Sequence, residues 1–196
     1  MSQSKKIILR IYFMISALFV LDCLFYYFKE ISLSGYYSDV VLSWLWLISS
    51  FAIIILFWKK LLAKLFLAAI IVTFALSIIA MMLPFYALLL SSTSLGLYQN
   101  KDLNENYRAQ IVGYSVMVHP WLEVIEKKGL FEKRIIKCTD PQLMNDNLEI
   151  KIRTAKDILF KSETDSTLTL TLFYGGPNKT ITFNKNTGSI TAIKNN

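Results

Sequence analysis

Residues 40–58 read VVLSWLWLISSFAIIILFW, residues 59–60 are a pair of lysines, and residues 61–90 read LLAKLFLAAIIVTFALSIIAMMLPFYALLL. A bilayer core of about 30 Å needs roughly 20 consecutive apolar residues in a helix. The first run meets that length and the second exceeds it. The second therefore predicts a tilted span or one that projects beyond the bilayer. Pro84 marks a kink in its last turns or the end of the helix at membrane depth. Upstream, Ile7–Phe28 forms another apolar run, with Arg10 near its start and Asp22 inside it. Three transmembrane helices are expected in residues 1–90.

Composition agrees with a divided chain. Of the 196 residues, 54% are hydrophobic and the mean hydropathy is +0.44. The excess lies in residues 7–90, and residues 91–196 have the mixed composition of an ordinary globular domain. The expected organisation is a three-helix transmembrane domain over 1–90, a linker over 91–106 and a mainly antiparallel β domain over 107–196.

Charge sets the expected orientation. Lys5, Lys6 and Arg10 precede or open the first span, and Lys59, Lys60 and Lys64 lie between the second and third. The connection between spans one and two has Lys29 against Glu30 and Asp39. By the positive-inside rule the N-terminus and the lysine-rich turn face the cytoplasm. An odd number of spans then places the β domain on the extracytoplasmic side of a cytoplasmic (inner) membrane. Tyr26, Tyr27, Tyr36, Tyr37 and Tyr86 fall near the outer interface in this arrangement, as amphipathic rings prefer.

The net charge of +7 does not point to nucleic acid. Beyond Leu90 there are fourteen basic and eleven acidic residues, intermixed along the chain. The densest basic stretch, Lys127 to Lys137, is interrupted by Glu126 beside it and Glu132 within it. A clustered basic face is not expected. The two cysteines, Cys23 and Cys138, belong to different regions and predict no internal disulfide.

The β signals begin at Tyr107–Val118, rich in Val, Ile and Tyr. Leu148–Thr154 and Ser166–Tyr174 alternate apolar and polar residues with the period of a half-buried strand. Gly175-Gly176-Pro177-Asn178 and Asn186-Thr187-Gly188 are turns between returning strands, predicting a three-stranded meander at the C-terminal end. Residues 120–129 suit either a short helix opened by Pro120 or one arm of a hairpin turning at Lys128-Gly129. The alternation of Leu122 and Val124, continued over Leu130–Cys138, favours the hairpin.

Two features of the apolar half stand out as candidate sites. Asp22 is an ionisable side chain at membrane depth, costing about 2.5–3.5 kcal/mol at a helix centre. Its place near the outer end of the helix suits a structural hydrogen bond, with Ser43 or Trp44 as the expected donor. Ala69, Thr73 and Ser77 form a stripe of small residues at spacing four, a face that lets another helix approach closely. In the β half His119, Glu123 and Cys138 are the residues to check for a nucleophile, since a Cys–His pair is one way to activate a thiol. No hydrolase, metalloprotease or phosphate-loop motif occurs. No catalytic, cofactor-binding or metal-ligating set is expected. The reading is a membrane-anchored protein-interaction module. It fits an accessory or immunity-type subunit that acts through its external β domain, with the bilayer and one protein as partners. The alternative is a sensor or a small-ligand- or lipid-binding membrane protein.

Overall fold

A computed structural model describes residues 3–78, 83–115, 118–143 and 151–195. The chain divides into two compact units, residues 1–94 and 95–196. The first is helical and the second is built from antiparallel sheets.

The helical unit contains α1 (Gln3–Lys29), the short extended segment β1 (Ile31–Leu33), α2 (Tyr36–Leu56), α3 (Leu61–Ile78) and α4 (Leu83–Ser92). At 1.5 Å per residue α1 extends about 40 Å and α2 about 31 Å. These two helices are long and apolar enough to cross a bilayer. The third run, expected as one span over 61–90, is described as two helices, with residues 79–82 outside the described residues. Pro84 occupies the first turn of α4, where its missing N–H costs no helical hydrogen bond. The aromatic rings order the interior: Phe19 of α1 stacks on Trp46 of α2 with centroids 5.2 Å apart and planes inclined by 14°. Ser50 is fully buried beside them, donating to the Trp46 carbonyl at 2.8 Å and lying 3.3 Å from the Tyr12 hydroxyl. Outward, the helices remain apolar. No residue of α1 is buried, and Met14, Ile55 and Leu62 are each more than 70% exposed.

The β unit contains β2 (Leu97–Asp102), β3 (Tyr107–Val112), β4 (Trp121–Lys128), β5 (Phe131–Cys138), a helical turn α5 (Asp140–Leu143) and a 3-10 turn (Ile152–Thr154). These are followed by β6 (Asp157–Glu163), β7 (Thr167–Phe173), β8 (Lys179–Asn184) and β9 (Ile190–Asn195). Within this unit the strands lie in the orders β5-β4-β3-β2 and β6-β7-β8-β9, every neighbour antiparallel. Both sheets give one face to a single core. Ala109, Ile111, Leu122, Val124 and Ile136 come from the first, and Leu168, Leu170, Leu172, Ile181 and Phe183 from the second, each at most 1% exposed. On the other face of the second sheet, Thr169 pairs with Thr182 and Thr171 with Thr180 through hydroxyl contacts of 3.1 and 3.0 Å.

The predicted meander is present as β7-β8-β9, and residues 120–129 belong to the β4–β5 hairpin. Gly188 turns the last hairpin with φ +67°, and a Cβ there would lie 2.7 Å from the Ile135 carbonyl oxygen. The position therefore takes glycine for both reasons. Three expectations differ from the structure. The stretch 91–106, expected as a linker, contains β2, whose polar face alternates with half-buried residues against β3. The strand expected over Tyr107–Val118 ends at Val112, before Gly113 passes between Tyr98 and Pro120. The strand expected over Leu148–Thr154 is not formed at its described end. Ile152–Thr154 is a 3-10 turn that buries Ile152 completely and fixes its amide on the Asp140 carboxylate at 2.7 Å. Residues 148–150 lie outside the described residues.

Candidate functional site

Concavity is found in the helical unit. A cleft of about 300 Å³ is walled by Phe19 of α1, Trp44 and Trp46 of α2, Phe66 and Phe74 of α3, and Leu89 of α4. Ala69 and Thr73 of the small-residue stripe line it. The Ser77 side chain lies outside the described residues. Hydroxyls also reach the wall, but their hydrogen bonds are already used. Ser43 donates to the Val40 carbonyl at 2.9 Å, Ser92 to Leu89 at 3.3 Å and Thr93 to Leu89 at 2.6 Å. The Trp44 indole N–H donates to the Ser92 carbonyl at 3.0 Å. Helical Ser and Thr commonly satisfy themselves in this way on the preceding turn. The surface facing the space is mostly hydrocarbon and aromatic.

Asp22 lies apart from this cleft. Its side chain is half-buried and accepts a hydrogen bond from the backbone amide of Leu33, at the end of β1. The two donors expected for it, Ser43 and Trp44, point to carbonyls of Val40 and Ser92 instead. The amide after α1 returns toward the helix end, so a backbone donor serves where a side chain from α2 was expected.

The β unit contains a polar constellation that alternation alone does not reveal. Arg108 of β3 pairs with Glu132 of β5 and donates to Asn100 at 3.1 Å and Gln110 at 2.7 Å. Gln110 donates to Glu123 at 2.8 Å, and the same carboxylate accepts from Trp121 at 2.8 Å and Arg134 at 2.9 Å. Lys137 caps the Trp121 ring at 4.3 Å from its centroid. Arg108, Gln110, Glu123 and Glu132 are each no more than 5% exposed. Removing one member of such a network leaves a buried charge without its partner, which is why it fixes the sheet register strongly. A sequence signal is present, since Arg108 and Gln110 alternate with Ala109 and Ile111. Period two separates the faces of a strand but does not say that both are covered.

No nucleophile is assembled from the three residues singled out for that chemistry. His119 is exposed, whereas Cys138 is 1% exposed within the core. Burial, reinforced by the nearby Asp140 carboxylate, pushes the Cys138 thiol up to about 12, so it stays protonated. Tyr174 is raised by burial as well, with Asp140 and Cys138 adding to the effect. Lys179, fully buried, donates to the Leu143 carbonyl at 2.9 Å and ties the crossover between the sheets to β8. Among the described residues no group of three or more His, Cys, Asp or Glu side chains converges as a metal site would require.

Outward-facing apolar side chains complete the inventory of the β unit. At the turn of the β4–β5 hairpin Leu130 is 80% exposed and Phe131 51%. A Cβ on Gly129 beside them would meet nothing within 4 Å, so the turn has open space around it. Comparison with protein families, with curated proteins and with solved structures finds no match.

Proposed function

We propose that this chain is a membrane-anchored protein-interaction module, with three spans in residues 1–90 and an extracytoplasmic β domain that engages a protein partner. The apolar outer surface of α1 and α2 supports anchoring, because a helix apolar all round belongs in a core or a bilayer. The charge bias of the flanking lysines supports the orientation. The observation that carries the interaction reading is the pairing of a filled β core with the bare Leu130-Phe131 turn. Fifteen buried residues occupy the space between the sheets where a ligand pocket would lie, so the binding capacity of this domain is on its surface. Two large apolar side chains at the tip of a rigid hairpin are suited to act as anchors in a partner's pocket. An accessory or immunity-type subunit fits this arrangement.

The test is a photo-reactive residue in place of Leu130, introduced in the full chain in its native membrane. A single crosslinked protein that disappears with Phe131→Asp supports the reading. Uniform labelling of many proteins, unchanged by Phe131→Asp, removes it. The alternative of a small-ligand- or lipid-binding membrane protein is favoured by a different observation, the cleft between the helices.

A further inference from the structure

The cleft in the helical unit differs from an ordinary lipid-facing groove in three ways. It is concave on several sides, with walls from all four helices. The hydroxyls of Ser43, Ser92 and Thr93 and the Trp44 indole donate to backbone carbonyls of the same unit, so a polar ligand finds these donors spent. Its mouth is continuous with the outward apolar surface, where Trp44 is 46% and Phe74 59% exposed.

We infer that this cleft holds one hydrocarbon chain of a bilayer lipid as a bound ligand. The inference rests on reading the helices as membrane-embedded. In that setting the medium at the mouth is acyl chain, and an apolar cavity takes an apolar occupant. Volume separates a chain from a partner helix. A helix with its side chains is about 10–12 Å across, so two turns displace on the order of 1,000 Å³. The cleft, at about 300 Å³, is too small for that. A methylene takes up about the ~30 Å³ of a liquid water molecule, so the space suits a segment of roughly ten methylenes. Aromatic side chains from α1, α2 and α3 contribute to the wall, with Phe19 and Trp46 held in place by their own stacking.

The experiment uses the two wall tryptophans as reporters. The full chain is reconstituted in phosphatidylcholine vesicles containing increasing fractions of a lipid brominated at mid-chain, which quenches tryptophan on contact. Trp58→Phe removes the exposed indole at the end of the α2 turn from the signal, and Trp121 of the β unit adds a background common to every variant. A bound chain gives a saturable component of quenching at low brominated fraction, and Ala69→Phe, which fills the cleft, abolishes that component. Ala69→Leu is the milder second variant and diminishes it. Quenching that rises in proportion to brominated lipid in all three proteins means annular lipid alone and overturns the proposal. A photo-reactive residue at position 69 that labels a protein instead of lipid overturns it in favour of a partner helix. A chain that fails to enter vesicles and is stripped from membranes by alkaline carbonate removes the membrane reading and this inference together. Incorporation with non-saturable quenching removes only the inference.

Discussion

Serine and threonine hydroxyls in the helices and polar side chains in the sheets find their partners differently. In the helices the hydroxyls of Ser43, Ser49, Ser50, Ser92 and Thr93 all donate three or four residues back along their own backbone. In the β unit polar groups reach across strands, as Arg108 does to Glu132 and Thr171 to Thr180. Apolar side chains are sorted in the opposite sense: outward on α1, α2 and α3, inward between the sheets. In the proposed membrane setting, the same residue types serve two solvents. Where hydrocarbon surrounds the chain, polar groups must be satisfied locally and apolar surface is left outside. Where water surrounds it, apolar area goes inside and polar groups form the networks that specify register.

The largest effect that sharpens this contrast is expected at the buried ion pair. Arg108→Met leaves the Glu132 carboxylate buried without its cation and is expected to cost about 3–5 kcal/mol in unfolding of the β unit. Arg108→Met combined with Glu132→Leu recovers most of that loss. If the single substitution is silent in denaturant melts, the network does not hold the sheet. Next comes a matched pair of core-type truncations. Leu170→Ala removes a completely buried side chain and is expected to cost about 2–5 kcal/mol. Ile55→Ala on the outer face of α2, 74% exposed, changes stability by no more than about 0.5 kcal/mol. Equal losses at the two sites, measured by unfolding in a mild detergent, break the comparison.

Much of this division is legible in the sequence. Runs such as 40–58 declare an apolar helix of spanning length because no charged residue interrupts them, and the alternation of Leu168, Leu170 and Leu172 with threonines declares a half-buried strand. The β4–β5 hairpin is legible for the same reason, once the alternation is followed through Lys128-Gly129. The strand β2 is hidden because its polar residues, Gln99 to Asp102, resemble a linker and owe their form to pairing with β3. Ile152 misleads because it is a buried anchor point in a 3-10 turn and not a rung of a ladder. Of the site features, Ala69 and Thr73 are visible as a small-residue stripe, while the cleft they line depends on how α3 and α4 pack, which spacing does not encode. Asp22 is visible, but its partner, the Leu33 amide, comes from a backbone turn and has no residue-type signature.

Smaller effects follow at Asp22 and in acid. Asp22→Asn keeps an acceptor for the Leu33 amide, so protein level and fold should stay within about 0.5–1.5 kcal/mol of the parent, the worth of one ordinary hydrogen bond. If the Asp22→Asn chain is folded at normal levels yet inactive in a partner assay, Asp22 has a functional role instead. In the β unit the Lys101 ammonium, 2.6 Å away, holds the Asp157 carboxyl below its usual range. Burial pushes Glu163 up, but hydrogen bonds from Lys185 and Tyr107 outweigh it and leave it lowered too. Carboxyls depressed in the folded state contribute stability above their unfolded value of about 4, lost as pH falls through that value toward the folded one. Both are surface pairs, so the loss is modest. Thermal melts should decline below about pH 4, and Lys101→Met should weaken that decline. A melting temperature independent of pH across that window contradicts the assignment.

Orientation is the most direct test of the central claim that the helices anchor an external β domain. Two reporters are fused in parallel after Asn196, one active only after export and one fluorescent only in the cytoplasm. The expected result is activity from the exported reporter and none from the cytoplasmic one. The reverse pattern would put the β domain inside the cell and contradict the three-span, extracytoplasmic reading.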